Sequence, residues 1–343
     1  MKSDLKRHLE GEKLGRFPVW MMRQAGRYLP KYLAIREKHS FWEMATTPKL
    51  IQEVSLLPLD VIDVDAIIFF ADILTLPHGL GLPVQMKESI GPYLDKPMRT
   101  QGEFDVFNKF DAEIHTAFLG EALDGIRATL DSKKALIGFA GAPWTVACYL
   151  VEGKASKNFE NILPWMHRDP KGLAAALELL GKATAKYLRY QVEHKVEMIQ
   201  LFDTWISWMP KWFFEGYYLP ILQNIFKEAQ GAGAFTLYFA KHSQQVTSLL
   251  SKTGAQGFSV DTLWTLSEYE NAIGKQFTFQ GNLEPTLLKS GDEGLVRKKT
   301  RELVQEARRL TKPAIINLGH GILPGTPVSN AKAFIEEARA AWL

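Results

Sequence analysis

Cysteine is almost absent from this sequence: Cys148 is the only one in 343 residues. A single thiol excludes an intramolecular disulfide. It also excludes a Cys-rich zinc site or an iron–sulfur cluster held by this chain alone. Long apolar runs are missing as well. A transmembrane helix needs about 20 consecutive apolar residues, and a representative strong run here, 66–71, is bracketed by Asp65 and Asp72. The start of the chain has no secretory h-region, and Asp4, Glu10 and Glu12 among its basic residues speak against a transit peptide. These absences point to the cytoplasm and to no membrane partner. Nor does one sign of charge dominate: 41 Lys and Arg against 38 Asp and Glu leave a formal +3. That balance gives no argument for a nucleic-acid partner. It leaves open a local basic pocket for an acidic small molecule.

What the chain does have is apolar content, 46% of residues, enough to exclude a disordered polymer. The apolar residues come in short, continuous runs at 19–22, 66–70, 136–139, 198–202, 236–239, 257–260, 277–280 and 314–318. Continuous rather than alternating runs suit parallel strands buried on both faces. Helical spacing fills the gaps. Leu173, Leu177, Leu180, Thr184, Tyr187, Leu188 and Val192 share one helical face, and so do Val296, Leu303, Ala307 and Leu310. Thr47 before Pro48 reads as an N-cap and first helical position. Ser329 or Asn330 reads as the cap of a last helix running to about Ala341. Eight strands alternating with helices predict an α/β fold, a single-domain (β/α)8 TIM-type barrel over residues 1–343. An open doubly wound sheet is the runner-up. It lacks a dinucleotide fingerprint: the nearest match, Gly319-His320-Gly321-Ile322-Leu323-Pro324, ends in proline with too little chain after it. There is no Walker A loop and no internal repeat.

Barrel enzymes gather their chemistry at the C-terminal ends of the strands. The groups that follow these strands are Arg23, Gln24, Gly26 and Arg27; Asp72; Gly141, Pro143 and Tyr149; Asp203 and Thr204; Lys241 and His242; Asp261; Asn282; and His320. Any solvated loop shows polar groups, so their joint placement counts for more than any one of them. In Arg23-Gln24-Ala25-Gly26-Arg27, two guanidiniums four residues apart share a face if the stretch is helical. Each can grip a carboxylate with paired hydrogen bonds, and Gly26 lets the backbone come close to a ligand. Asp72 reads either as a helix cap for Ile73 and Leu74 or as a lone carboxylate in a cavity. Tyr149 reads as a core tyrosine or as a hydroxyl at a pocket. His320, between two glycines, has little packing reason to be there. Lys241 fits a Schiff-base lysine or a surface one. The aromatic density of 205–220 suggests a lid or a subunit interface, or ordinary core.

Pro18-Val19-Trp20-Met21-Met22-Arg23-Gln24-Ala25-Gly26-Arg27-Tyr28 resembles the first signature of the uroporphyrinogen decarboxylase family. Gly138-Phe139-Ala140-Gly141-Ala142-Pro143-Trp144-Thr145 through Tyr149 resembles the second. Phe69 to Leu74, Gln200 to Asp203 and Asn317 to Ile322 match further segments, so the likeness spans the chain. The resemblance implies a cytoplasmic homodimeric barrel. It implies removal of the carboxyl groups from the four acetate side chains of uroporphyrinogen III, giving coproporphyrinogen III and carbon dioxide, with no cofactor and no metal. It also implies a substrate-contacting set of Arg23, Gln24, Ala25, Gly26, Arg27, Asp72, Tyr149, Thr204 and His320, with Asp72, Arg23 and Arg27 catalytic. The family usually has serine where this chain has Thr204, and a different loop where it has Trp205-Ile206-Ser207. The competing expectations are a related barrel methyltransferase of the corrinoid or thiol type, which uses His and Cys to hold zinc; an aldolase acting through Lys241; and a tetrapyrrole carrier without catalysis.

Overall fold

A computed structural model describes residues 2–87 and 90–340. The apolar runs become parallel strands: β1 (Ala66–Ile68), β4 (Ala135–Gly141), β5 (Met198–Asp203), β6 (Phe235–Ala240), β7 (Gly257–Ser259), β8 (Thr278–Leu283) and β9 (Ile315–Leu318). They form one sheet in the order β1-β4-β5-β6-β7-β8-β9. All seven residues of β4 are buried, as continuous apolar strands in a parallel sheet require. Helices cover the outer face. The longest, Pro170–Glu193, is capped by the Asp169 side chain accepting from the Gly172 N–H, with Pro170 opening its first turn. Its face of Leu173, Leu177, Leu180, Thr184, Tyr187 and Leu188 is buried.

The sheet closes through residues 18–20, which stand between β9 and β1. Val19 pairs in parallel with Ile316. The Ile316 N–H donates to the Pro18 carbonyl at 2.9 Å, and the Trp20 N–H donates to the Ile316 carbonyl at 3.3 Å. On the other side the Asp65 N–H donates to the Val19 carbonyl at 2.9 Å. The fold is therefore the TIM-type barrel expected, with a correction to its first stave. Only the start of 19–22 is in the ladder, because the Met22 N–H is taken by the Asn317 side chain at 2.9 Å and Arg23 turns into the left-handed region at φ 62°. The barrel interior carries amides, with Trp20 Nε1 donating to Gln280 Oε1 at 2.8 Å and Gln280 Nε2 to Gln200 Oε1 at 2.8 Å.

Three further differences from the sequence reading have local causes. A hairpin, β2 (Val84–Lys87) paired antiparallel with β3 (Gly91–Leu94), was not expected. It is anchored by the Leu94 N–H donating to the Gly153 carbonyl at 2.7 Å. The helix Pro48–Leu56 does start at its proline, but the Thr47 hydroxyl makes no capping bond. The last helix is Val328–Ala340, so Ser329 and Asn330 lie inside its first turn rather than capping it. Asn330 instead donates to the carbonyls of Leu288 at 3.0 Å and Gly291 at 2.8 Å. The expected end near Ala341 lies outside the described residues.

Asp65 holds the closure from the N-terminal end of the barrel. It accepts from the Val19 N–H at 2.8 Å, from both terminal nitrogens of Arg16 at 2.6 and 2.5 Å, and from Arg339 of the last helix at 2.9 Å. Its side chain is 7% exposed. Removing the Asp65 carboxylate leaves the buried Val19 N–H and the Arg16 guanidinium without it, while Arg339 keeps Asp63 at 2.7 Å. Asp65→Ala is expected to destabilise the fold by about 2–4 kcal/mol, read as a lower urea midpoint at unchanged m-value. A loss under about 0.5 kcal/mol, the range of an ordinary surface substitution, would sink the closing role.

Candidate active site

A cavity of about 700 Å³ opens at the C-terminal ends of the strands. Its wall comes from the residues that follow the strands, as barrel geometry demands. Arg23, Ala25, Gly26, Arg27, Asp72, Tyr149, Thr204 and His320 all line it. Gln24 does not. It is fully buried, accepts from the Met21 N–H at 3.1 Å and donates to the Ala66 carbonyl at 2.9 Å. Its work is to tie the turn to β1, and it contacts no ligand space. The turn itself is not helical: Gln24 N–H donates to the Met21 carbonyl and Leu29 N–H to the Gly26 carbonyl. A Cβ at Gly26 would sit 2.9 Å from the Arg23 carbonyl, so glycine is needed there for the tight bend as well as for its place on the wall. Arg23 and Arg27 both present exposed side chains at the cavity.

Asp72 lies on the cavity wall but is not a helix cap: the next helix, Thr75–Gly79, starts after Leu74 and has no side-chain cap. One carboxylate oxygen accepts from the Leu74 N–H at 2.9 Å, and its own N–H donates to Thr75 Oγ1 at 3.0 Å. The other oxygen takes no hydrogen bond from any described residue. Burial pushes the Asp72 carboxyl up, against the Leu74 N–H and the Arg23 charge, which pull it down. Burial also pushes the Tyr149 phenol well up, and the Asp72 charge adds to this, so Tyr149 stays protonated and can donate. His320 is driven down to about 4, by burial first and then by Arg23 and Lys241, and is neutral at pH 7. Arg23 thus acts electrostatically on all three groups.

Other residues named after the strands are structural. Asp203 is fully buried and accepts from Thr145 at 2.6 Å, Tyr218 at 2.8 Å and Tyr238 at 2.7 Å. Asp261 is taken by the His242 N–H at 2.6 Å and by the Tyr269 hydroxyl. Asn282 donates to the carbonyls of Asp261 and Trp264, each at 2.7 Å. Lys241 and His242 do not line the cavity. Cys148 is buried, and burial pushes its thiol up, so it is no nucleophile. In the aromatic stretch, Phe213, Phe214 and Tyr218 are core, whereas Trp208 and Trp212 are 42% and 46% exposed.

The sequence reading missed the cavity's apolar wall. Phe69, Phe139, Phe202 and Phe239 line it in a row, with ring centres 5.0, 5.7 and 5.8 Å apart in turn. Phe202 and Phe239 are register partners. Each phenylalanine lies at or near the C-terminal end of its strand run, and that shared offset was the available signal. Also missed were Tyr32, Arg36 and His39, and the hairpin's Met86 and Lys87, all on the cavity wall. Among the described residues no three His, Cys, Asp or Glu side chains come together to hold a metal ion.

The family model described as uroporphyrinogen decarboxylase (URO-D) matches residues 1–341. The chain belongs to the uroporphyrinogen decarboxylase family. Among its relatives is the uroporphyrinogen decarboxylase of Gloeobacter violaceus, 35% identical over 329 residues, covering 95% of this chain and 94% of that one. The Microcystis aeruginosa uroporphyrinogen decarboxylase is 36% identical over 339 residues, 98% and 96% of the two chains. Among solved structures, a methyltransferase from Methanosarcina mazei superposes with a TM-score of 0.80 at 18% identity, covering 98% of each chain. At that identity the likeness shows the barrel fold alone.

In this member of the uroporphyrinogen decarboxylase family, the lowered His320 value links the site to stability. The folded chain keeps His320 neutral where the unfolded chain, with the ordinary value of 6.5, takes up a proton. Its stabilising effect is therefore fully present above pH 6.5 and is lost as pH falls towards about 4. His320 keeps some contact with the cavity solvent, which reduces the effect to about 1–3 kcal/mol. Urea unfolding at pH 7.5 and pH 4.5 is expected to show a smaller acid loss for His320→Gln than for wild type. Equal losses would contradict a depressed His320.

Proposed function

We propose that this chain is a carboxy-lyase that converts the four acetate side chains of uroporphyrinogen III to methyl groups, giving coproporphyrinogen III and carbon dioxide in tetrapyrrole biosynthesis. The observation that carries the reading is Asp72, a carboxylate with one unused oxygen in an aromatic cavity whose other charged groups are basic. The family relation and the names of the relatives supply the substrate class.

Losing carbon dioxide leaves an electron pair on carbon, and a pyrrole can take that pair itself. A proton adds to the ring carbon next to the one that bears the acetate, giving a cation conjugated with the acetate methylene. The carbon–carboxylate bond breaks, its electrons neutralise the cation, and carbon dioxide leaves an exocyclic methylene. A proton on that methylene makes the methyl group, and the ring carbon returns its proton. Each acetate consumes one proton net. Asp72 accepts hydrogen bonds from pyrrole N–H groups and stabilises the cation. Its unused oxygen is free to do so, and the phenylalanine wall lowers the local dielectric and strengthens the effect. Arg23 and Arg27 bind acetate and propionate carboxylates. A guanidinium is a poor proton donor, so binding is their main contribution. Tyr149, Thr204 and neutral His320 orient the remaining carboxylates.

The same proposal takes residues 1–343 as one domain acting without a cofactor, as a homodimer in the cytoplasm. The exposed Trp208 and Trp212 supply an apolar face for a second copy. Sedimentation gives the mass directly.

The deciding assay is anaerobic incubation with uroporphyrinogen III, followed by chromatography of the oxidised products. Species with seven, six, five and four carboxyl groups are expected. Asp72→Asn keeps the shape and removes the charge, and is expected to lower kcat at least about 100-fold. Near-normal turnover by that variant would falsify the electrostatic role of Asp72. A wild-type chain that releases no carbon dioxide would overturn the whole reading.

A further inference from the structure

Arg23 holds a backbone conformation, φ 62°, that residues with a Cβ rarely adopt. Something must hold it there. Both backbone groups of the preceding residue, Met22, are bonded to the 317–322 segment. The Met22 N–H donates to Asn317 Oδ1 at 2.9 Å, and the Met22 carbonyl accepts from the Ile322 N–H at 2.9 Å. Asn317 Oδ1 also accepts from the Leu318 N–H at 2.7 Å. Asn317 is fully buried, and its Nδ2 has no hydrogen-bond partner among the described residues. A buried amide that leaves its donor unpaired is costly, so its value to the fold lies in the acceptor that holds Met22. The same segment then passes against the arginine side chain. A Cβ on Gly321 would fall 2.4 Å from Arg23 Cδ and 2.8 Å from Cγ, so the stem of Arg23 occupies the space that any side chain at 321 would fill.

We propose that the Asn317 amide and the open face of Gly321 together position Arg23, so that the guanidinium is aimed into the cavity before a ligand arrives. Asn317 fixes the backbone on which Arg23 stands, and Gly321 leaves the channel along which its stem lies. Neither residue lines the cavity. They act through Arg23, and so are positioning residues. The segment that presents His320 is also the one that sets Arg23, which ties two groups of the cavity to one loop. The proposal rests on the reading of Arg23 as a carboxylate ligand.

The test is a double-mutant cycle on equilibrium binding of coproporphyrinogen III, followed anaerobically by quenching of tryptophan fluorescence, with thermal melting as a check on folding. Arg23→Ala, Asn317→Ala and the pair are compared. Asn317→Ala is expected to weaken binding about 10-fold beside Arg23 and less than about twofold where Arg23 is already alanine. Gly321→Ala leaves the Asn317 bonds in place and crowds only the arginine stem. It is expected to show the same pattern, and it carries the test if Asn317→Ala does not fold. An Arg23→Ala variant that binds like wild type overturns Arg23 as a ligand, and the positioning role falls with it. If Arg23→Ala binds weakly but the second substitution costs the same factor in both backgrounds, the positioning role alone is overturned.

Discussion

Closure of the sheet is the constraint on which everything else in this molecule depends. The closing stave is short: residues 18–20 bridge β9 and β1 with a handful of backbone bonds, whereas β5 and β6 pair over six residues. A short stave needs side chains to finish the work, and two acceptors do it at opposite ends. Asp65 takes the Val19 N–H below, and Asn317 takes the Met22 N–H above. The chain then leaves the ladder immediately after the bridge and delivers Arg23 and Arg27 to the mouth of the barrel. A longer regular strand would have carried Met21 and Met22 along the sheet and placed the arginines elsewhere. The site is thus a consequence of where the closing strand stops.

The cavity wall mixes two kinds of side chain. A row of phenylalanines at the strand ends stands with Arg23, Tyr149, His320 and Asp72, and Arg23 acts electrostatically on the other three. Burial pushes the Asp72 carboxyl up, towards the uncharged acid, whereas the proposed role calls for a charge. The Leu74 N–H and the Arg23 guanidinium oppose that tendency. The same burial acts in the useful direction on Tyr149, which stays a donor, and on His320, which stays neutral. One physical cause, removal of water, therefore acts on all three groups, against the charge on Asp72 and in favour of neutral Tyr149 and His320, and Arg23 adjusts each of them.

Most of the architecture was legible in the sequence because parallel strands buried on both faces leave an unambiguous mark, a continuous apolar run. Of the residues that line the cavity, those on loops after strands were legible for the same reason: a polar group directly after such a run has one place to go in a barrel. The failures share a cause as well. Phe69, Phe139, Phe202 and Phe239 belong to the same runs, and an apolar side chain facing a cavity looks like one facing the core. Gln24 sits in the motif between two arginines, but its direction is set by the bend at Arg23, which spacing does not report. Asp203 and Asp261 follow strands as Asp72 does, yet tyrosines and threonines elsewhere in the chain consume their oxygens. Whether a carboxylate is spent or free is a property of tertiary partners, and the hairpin of β2 and β3 was hidden because each of its strands is too short to show a period.

The charge of the chain takes on a different meaning once the cavity is known. Among the described residues that line it, Arg23, Arg27, Arg36 and Lys87 are basic and Asp72 alone is acidic. That excess of three equals the formal +3 of the whole chain, so the remainder of the sequence is balanced. The outer surface carries ion pairs, such as Arg297 with Glu293 and Glu336, and Lys299 with Glu302. A barrel mouth with low-dielectric walls concentrates the field of the charges that line it. The cavity wall thus carries an excess of basic side chains that no count of lysines and arginines over the whole chain would have shown.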